Sequence, residues 1–510
     1  MNIKRAKEEI KNTIEAYLLK DDYGNYEIPP MRQRPVLLMG PPGVGKTQIM
    51  EQIAREMKIG LVAYTITHHT RQSAIGLPYI KEKEYGGKNY SVTEYTMSEI
   101  VAAIYDKIEQ TGLKEGLLFI DEINCVSETL APTMLQFLQM KTFGNHAIPE
   151  GWIIAAAGNP PEYNKSVRDF DMVTLDRIKM IHVEANYEVW KIYAYEHDVH
   201  PAVISYLNAR QESFSRIETT VDGKLFATPR GWEDLSRLIE VYEKLGKKVD
   251  REVVGQYIQF PKIAKDFANY LELYYKYEND YQIDEILNGV IRENLCNKLK
   301  NAPFDEKLNV IGLLLSRLNR VFGQVLRKGD LAELLMGQLK RLNSDDSSLS
   351  QAASMENRLQ LVLKEWRNKH EEEKKAGLIN RSQDYLYKDA EDKLEQYGKL
   401  IGEMELTGNH EKDIEQAWER IKELFGEENK AYEMGLSDAG EKLEHGFDFM
   451  EAAFGDGQEM VIFVTELNTS YLCIRFLKEY DCERYYQYNE RLLFNRREDN
   501  IKARISSLEK

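Results

Sequence analysis

The stretch RPVLLMGPPGVGKTQIM, residues 34–50, decides the fold. Its apolar run, residues 36–39, predicts a buried strand that stops at Gly40. The following GPPGVGKT fits the pattern G-x-x-x-x-G-K-[ST], in which glycines let main-chain N–H groups curl around an anion. A helix beginning near Lys46 would point the positive end of its dipole at the same anion. The sequence therefore predicts a phosphate-binding loop between a strand and a helix.

Individual side chains of this loop have predicted roles. Lys46 would reach the β- and γ-phosphates of a nucleoside triphosphate, and the Thr47 hydroxyl would bind Mg²⁺. A GTPase would read guanine with an N/T-K-x-D segment, but NKSV at residues 164–167 has no aspartate in the fourth place, so ATP is favoured. The predicted nucleotide-binding residues are Gly40, Pro41, Pro42, Gly43, Val44, Gly45, Lys46, Thr47 and Gln48.

Two further apolar runs end in polar residues. The run at residues 117–120 ends in Asp121 and Glu122. Adjacent carboxylates repel unless a cation is near, so we predict that Asp121 holds Mg²⁺ and that Glu122 acts as general base on water. The run at residues 152–157 predicts a strand with Asn159 just past its tip, where ligands of parallel sheets bind. Asn159 is predicted to orient the attacking water, and a simple turn is the alternative at both places.

Two arginines complete the predicted catalytic set. Arg177 stands immediately before an apolar run at residues 178–183, as a candidate finger that neutralises charge on a neighbouring subunit's nucleotide. Arg168 is a competing candidate for that role. Arg230, near the start of a predicted helix, could reach the γ-phosphate from a lid domain. An ordinary surface position is the alternative for Arg177 and for Arg230. The predicted catalytic residues are Lys46, Glu122, Asn159, Arg177 and Arg230.

Five segments that occur in order over about residues 1–280 together resemble an AAA+ ATPase of the MoxR type. They are GPPGVGKT, LLFIDEIN, AAAGNPPEYN, LDR and TPRGWEDLS. The resemblance implies an α/β fold, a P-loop AAA+ αβα core with a parallel five-stranded sheet and a helical lid. It also implies ATP with Mg²⁺, a homo-hexameric ring and chaperone-like work on a client, often a von Willebrand factor A domain protein. The implied roles are Walker A for Lys46 and Thr47, Walker B for Asp121 and Glu122, sensor 1 for Asn159, arginine finger for Arg177 and sensor 2 for Arg230.

Two insertions interrupt the core. LPYIKEKEYGGKNYSVTEYT, residues 77–96, has a Gly86-Gly87 turn between tyrosine-rich flanks and predicts a β-hairpin. The second insertion is short and is predicted to centre on a turn within MKTFGNHAIPEGW, residues 140–152. In related rings such insertions touch the client. A surface hairpin without that role is the alternative.

The periodicity divides the chain into four predicted domains. They are an AAA+ core at residues 1–185, an α-helical lid at 186–280, a helical connector at 281–342 and an all-α C-terminal extension at 343–510 that opens with the linker NSDDSSLS. Within the extension, apolar residues three and four apart predict three helices, each with a buried stripe. The stripes are Met355, Leu359, Val362 and Trp366; Ala390, Leu394, Tyr397, Ile401 and Met404; and Ile414, Ala417, Ile421 and Phe425. Gly426 is predicted to stop the third helix. The apolar segment at residues 460–477 is predicted to be one packed helix. No catalytic constellation is found after residue 280.

Composition excludes several classes of protein. Of 510 residues, 43% are hydrophobic and 30% are charged, which is typical of a globular protein. The net charge of −16 argues against a surface that wraps nucleic acid, although a local basic pore in a ring stays compatible. No apolar run is long enough to span a membrane. Four dispersed cysteines without a C-x-x-C pair suit a reducing cytoplasm.

Three functions fit these motifs. The leading hypothesis is an ATP hydrolase that remodels or activates a partner protein. The second is an ATP-gated assembly scaffold with little turnover. A small-molecule kinase is disfavoured, because Glu122 beside Asp121 suits activation of water and Arg230 lies far downstream.

Overall fold

The computed structural model describes residues 1–68, 74, 76–143, 145–163, 167, 170–221, 223–342, 354–404 and 410–492. It divides into two compact units: residues 1–189 with 368–384 form unit 1, and residues 190–367 with 385–510 form unit 2. Arg168 and the predicted linker NSDDSSLS lie outside the described residues. The domain boundaries at residues 185, 280 and 342 remain predictions.

Unit 1 is built on one parallel sheet with two small hairpins. The strands are β1 (Val36–Met39), β2 (Gly60–Thr65), β3 (Pro78–Tyr85), β4 (Lys88–Tyr95), β5 (Gly116–Asp121), β6 (Thr142–Phe143), β7 (His146–Ala147), β8 (Trp152–Gly158) and β9 (Lys179–His182). The sheet has five strands in the order β2-β5-β8-β1-β9, and the hairpins are β3–β4 and β6–β7. The predicted α/β class, five-stranded parallel sheet and hairpin over residues 77–96 are confirmed.

Strand β1 lies inside the sheet and pairs in parallel with β8 on one side and β9 on the other. Val36 is opposite Ala155 and Lys179, and Met39 is opposite Gly158 and His182. Strands covered by neighbours and by both layers of helices read as continuous apolar runs. This explains why the run before Gly40 carries no alternation of polar residues.

Helices cover both faces of the sheet. They are α1 (Ile3–Leu18), α2 (Lys46–Met57), α3 (Glu99–Thr111), α4 (Ala131–Met140) and α5 (Met172–Leu175). Because successive strand residues point to opposite faces, Val36 and Leu38 pack in one core with residues of α1 and α2. Leu37 packs in the other core with residues of α3 and α4. The result is the predicted three-layer αβα arrangement.

The chain from residue 187 onward is largely helical. A hairpin of β10 (Arg216–Thr220) and β11 (Gly223–Ala227), which the periodicity did not predict, lies just before the helix that begins at Pro229. The helices are α6 (Tyr187–Glu196), α7 (Pro201–Ala209), α8 (Pro229–Lys244), α9 (Arg251–Tyr257), α10 (Pro261–Tyr281), α11 (Ile283–Leu287), α12 (Glu293–Lys300), α13 (Phe304–Leu342), α14 (Met355–Ala376), α15 (Arg381–Gly402), α16 (His410–Phe454), α17 (Gln458–Thr469) and α18 (Tyr471–Glu479).

The predicted apolar stripes of the extension form a shared core with the end of α13. Its buried members include Met355, Leu359, Val362, Trp366, Ala390, Leu394, Tyr397, Ile401, Ala417 and Ile421. Helix α16, however, continues through Gly426, so the predicted stop is wrong. A glycine inside a helix costs only about 1 kcal/mol. The buried Ile421 before it and Leu443 after it provide packing that outweighs that cost.

The segment at residues 460–477 is two helices, and the prediction of a single helix is wrong. Helices α17 and α18 meet at 84°. Ser470 caps α18, since its hydroxyl accepts a hydrogen bond from the Cys473 N–H at 3.3 Å. In the part of the chain that the structure describes, no single helix has the length and apolarity to cross a membrane. The bent pair α17 and α18 has that length and apolarity only when its two helices are combined.

Lys141, a buried cation of unit 1, makes the stability of the protein depend on pH. The residue is 7% exposed, and its Nζ donates to Gln33 Oε1 at 2.9 Å. Burial lowers the pKa of Lys141 from 10.5 to about 8. The folded-state pKa is below the unfolded one, so the charged side chain destabilises the fold below about pH 8. That penalty fades as pH rises toward 10.5.

We expect the unfolding free energy of the parent, relative to Lys141→Met, to rise by about 3 kcal/mol between pH 8 and pH 10.5. The variant removes the titrating group but keeps a chain of similar length. Thermal unfolding midpoints of both proteins across this range provide the measurement. Midpoints that stay parallel would show that Lys141 does not titrate in this window.

Candidate functional site

Three strand ends bring four predicted residues together. Lys46 Nζ donates to Asn159 Oδ1 at 2.9 Å, and Thr47 Oγ1 donates to Asp121 Oδ2 at 2.9 Å. The first contact joins residues 113 positions apart in the chain and the second joins residues 74 apart. These side chains therefore meet at one edge of the sheet, where β1, β5 and β8 end, while their chemical roles remain predictions.

The loop after β1 has a backbone that suits glycine. Gly43 and Gly45 have φ angles of 78° and 91°, a region that residues with a Cβ rarely adopt. No side chain caps the twelve-residue α2 at its N-cap, Gly45. A phosphate is therefore the natural partner for the N–H groups of this turn.

Gly40 is required for a different reason. A Cβ added there would lie 2.5 Å from the main-chain oxygen of Val183. The loop can thus leave β1 only because the residue that follows the strand has no side chain.

Lys46 is folded back against its own loop. It is 8% exposed, and its Nζ donates to the carbonyl oxygens of Gly40 at 2.8 Å and Pro41 at 2.9 Å, in addition to Asn159. The ammonium group is thereby held at the mouth of the loop, where an anion bound by the N–H groups would lie.

The carboxylate turn is strained and fixed by local hydrogen bonds. Glu122 has a φ of 56°, which is uncommon for a residue with a side chain and is concentrated at functional sites. Its N–H donates to Asp121 Oδ1 at 2.9 Å, and its carbonyl accepts from the Cys125 N–H at 2.8 Å. Burial, with smaller effects from Glu122 and Asp121, raises the pKa of the Cys125 thiol. The thiol is therefore neutral at pH 7.

Thr47 and Asp121 fit a magnesium site. Mg²⁺ binds through one or two protein oxygens together with phosphates and water, and not in an all-protein cage. The hydroxyl and carboxylate oxygens that meet here at 2.9 Å are such a pair. Within the described ranges, no group of three or more His, Cys, Asp or Glu residues could hold a metal ion.

Asn124 also belongs to this site, although no sequence motif predicted it. Its Nδ2 donates to the main-chain oxygen of Asn159 at 2.8 Å, although the residue is only 2% exposed. The signal in the sequence is an asparagine in the apolar setting that follows Glu122, but nothing in the pattern says which group it contacts.

Arg177 is not at the same edge. It precedes Lys179, which lies opposite Val36 at the beginning of β1, whereas the phosphate-binding loop follows Met39 at the end of β1. The four residues of β1 alone place the beginning of this strand about 13 Å from the loop that follows it. Arg177 is exposed and donates to Gln139 Oε1.

Arg230 is the second residue of α8 and is exposed. The helix is capped by Thr228, whose hydroxyl accepts from the Gly231 N–H at 3.2 Å. Arg230 belongs to unit 2, so its predicted reach toward the γ-phosphate remains a prediction.

The β3–β4 hairpin presents aromatic side chains to solvent. Its exposed large hydrophobic residues are Tyr79, Ile80, Tyr85, Tyr90 and Tyr95. The strands are braced by Glu94, which pairs with Lys83 and accepts a hydrogen bond from the Tyr79 hydroxyl at 2.9 Å. These two contacts hold the pKa of Glu94 below its ordinary value, so the brace stays charged at neutral pH.

The fold and the site define a P-loop nucleotide-binding protein. Residues 35–177 match the family model described as the AAA domain of the dynein-related subfamily. Residues 35–177 are therefore similar to an AAA domain, and this match does not distinguish the MoxR type.

Comparison with solved structures gives a likeness to a candidate ATPase from Cytophaga hutchinsonii, with 17% sequence identity and a TM-score of 0.22. It covers 36% of this chain and about half, 52%, of that protein. No curated protein matches the chain.

Replacing Gly40 tests the close approach of the loop to Val183. We expect Gly40→Ala to lower the affinity for a fluorescent ATP analogue and the thermal midpoint, because its Cβ would force β1 and β9 apart. The matched control is Gly255→Ala, a helical position where no atom lies within 4 Å of an added Cβ, and it should bind as the parent does. Equal binding by Gly40→Ala would contradict this account of the loop.

Proposed function

We propose that this protein hydrolyses ATP with Mg²⁺ as a homo-oligomeric AAA+ ring of the MoxR type, and that it uses the cycle to remodel or activate a client protein. The observation that carries the proposal is the meeting of Lys46 with Asn159 and of Thr47 with Asp121 at one sheet edge. A loop for phosphate, a pair of oxygens for a divalent ion and an amide for water are the parts that such a reaction needs. The proposed ring is a hexamer in the cytoplasm.

The proposed chemistry is activation of water and stabilisation of phosphate charge. Glu122 accepts the proton of the attacking water as it adds to the γ-phosphorus, and the bond to the β-phosphate oxygen breaks. Lys46 stabilises the charge on the phosphate oxygens, and Asn159 aligns the water. Thr47 and Asp121 would hold Mg²⁺, which when bound would offset the negative charge of the phosphates.

Arg177 is proposed to act on the nucleotide of a neighbouring subunit. Its place at the beginning of β9, at the opposite end of β1 from its own loop, supports action in trans over action in cis. The guanidinium would neutralise charge that develops in the transition state.

The lid and the hairpin are proposed to convert hydrolysis into work. Arg230 would sense the γ-phosphate from the start of α8 and so couple the lid to the nucleotide state. The exposed tyrosines of β3–β4 are proposed to contact the client. The client is proposed to be a protein, and a von Willebrand factor A domain partner is the first to test.

Replacing Glu122 tests the proposed general base. We expect Glu122→Gln to bind ATP as tightly as the parent and to lose turnover roughly 100-fold or more, because the amide cannot accept the proton. Equilibrium binding and steady-state phosphate release measure the two properties.

Turnover by Glu122→Gln within about threefold of the parent would show that another group activates water. Negligible phosphate release by the parent, together with ATP-driven growth in mass, would favour an assembly scaffold. Phosphate found on a small molecule would favour a kinase.

Mixing two inactive variants tests the proposed role of Arg177. Arg177→Ala keeps Glu122 in its own site but lacks the arginine that would act on a neighbouring subunit. Glu122→Gln keeps that arginine, but its own site is inactive. We expect their mixture to regain turnover, because the finger of one acts on the site of the other. The control mixture pairs Arg177→Ala with the double variant Glu122→Gln/Arg177→Ala and should stay inactive. No gain in either mixture would contradict action in trans.

A further inference from the structure

Asn124 occupies an unusual position beside the predicted catalytic carboxylate. It lies in the one-turn helix Ile123–Cys125, which directly follows Glu122. Its side-chain amide crosses from the end of β5 to the end of β8, where Nδ2 donates to the main-chain oxygen of Asn159 at 2.8 Å. The turn that presents Glu122 is therefore bonded directly to the residue predicted to align water.

The packing around Asn124 is close because β8 ends in a glycine. A Cβ added at Gly158 would lie 2.7 Å from Asn124 Oδ1 and 2.9 Å from its Cγ. Any larger residue at position 158 would push the amide away from Asn159. The contact thus depends on two residue choices, one on each of the two neighbouring strand ends.

The stability of the fold does not explain this asparagine. Oδ1 is buried and accepts no hydrogen bond from the described part of the chain. An unsatisfied buried polar atom costs about 1–3 kcal/mol, and an apolar side chain of similar shape avoids that cost. Each such group in a native protein needs an explanation, and at Asn124 the contact with Asn159 supplies one.

One polar chain connects the carboxylate turn with the phosphate-binding loop. Asn124 bonds the main chain of Asn159, and the side chain of Asn159 accepts from Lys46 Nζ at 2.9 Å. Lys46 in turn donates to the carbonyls of Gly40 and Pro41. A displacement of Asn159 would therefore change the geometry between the proposed base and the γ-phosphate.

We propose that Asn124 is a positioning residue for ATP hydrolysis. It holds the main chain of Asn159 in a fixed position relative to the Glu122 turn. The Glu122 carboxylate and the Asn159 amide can then contact the same water molecule. Asn124 acts through Asn159 and does not contact ATP. This inference rests on the proposed hydrolysis of ATP.

The kinetic test uses Asn124→Leu, which fills the site without an amide, alongside Asn124→Ala. We expect kcat to fall roughly 10- to 100-fold, as for other small misplacements of reacting groups. The Kd for ATP should stay within about threefold of the parent, because the loop residues are untouched.

A double-mutant cycle separates positioning from general damage. If Asn124 acts through Asn159, adding Asn124→Leu to Asn159→Ala should not lower kcat further. An equal loss of kcat in both backgrounds would overturn the proposal, since it would show that Asn124 acts independently of Asn159.

The chain offers a matched control in Asn309. This residue is also 2% exposed, its Nδ2 donates to the Asp305 carbonyl at 2.9 Å, and its Oδ1 is likewise buried without a described partner. It lies in α13 of unit 2. Asn309→Leu should leave kcat within about twofold of the parent, because the Asn309 amide bonds a carbonyl of its own helix and not the main chain of Asn159. A loss equal to that of Asn124→Leu would overturn the proposal.

Hydrogen exchange of the full-length, nucleotide-free protein tests the contact without relying on turnover. Peptides covering residues 156–163 should exchange faster in Asn124→Leu than in the parent and should be unchanged in Asn309→Leu. Unchanged exchange in Asn124→Leu would overturn the inference whatever the parent's activity. Faster exchange in a parent that hydrolyses no ATP would support the contact while refuting the proposed function.

Discussion

The parallel pairing of β8 with both β1 and β5 is the constraint on which the site depends. Parallel strands end at a common edge, so the loops after β1, β5 and β8 emerge side by side. Lys46 and Asn159 follow β1 and β8, and Asp121 is the last residue of β5. Hydrogen bonds link the segment after β1 to the other two strand ends. Without this register, the motifs would be unrelated polar residues.

Much of this arrangement could be predicted because it depends on local rules. A continuous apolar run followed by glycine predicted β1, and the paired glycines between tyrosine-rich flanks predicted the β3–β4 hairpin. Apolar residues three and four apart predicted the buried stripes of α14 and α15. In each case the buried face or the turn residue is specified within a short window, so no distant contact is needed to recognise it.

The predictions that failed concern features that depend on packing between residues far apart in the sequence. Gly426 has a low helix propensity, but α16 continues through it on a core shared with other helices. The break between α17 and α18 is marked locally by Ser470, whose capping role was hidden within an apolar segment. Asn124 was missed because its bond to the Asn159 carbonyl exists only once two strands are adjacent.

The same parallel register separates Arg177 from the site. Strand β9 runs beside β1 in the same direction, so a residue before β9 is placed at the amino end of the sheet. A charge there cannot serve its own phosphate-binding loop without crossing the length of β1. If Arg177 takes part in hydrolysis, a complete site needs two copies of the chain. Assembly and turnover would then be linked by sheet topology alone, before any client is bound.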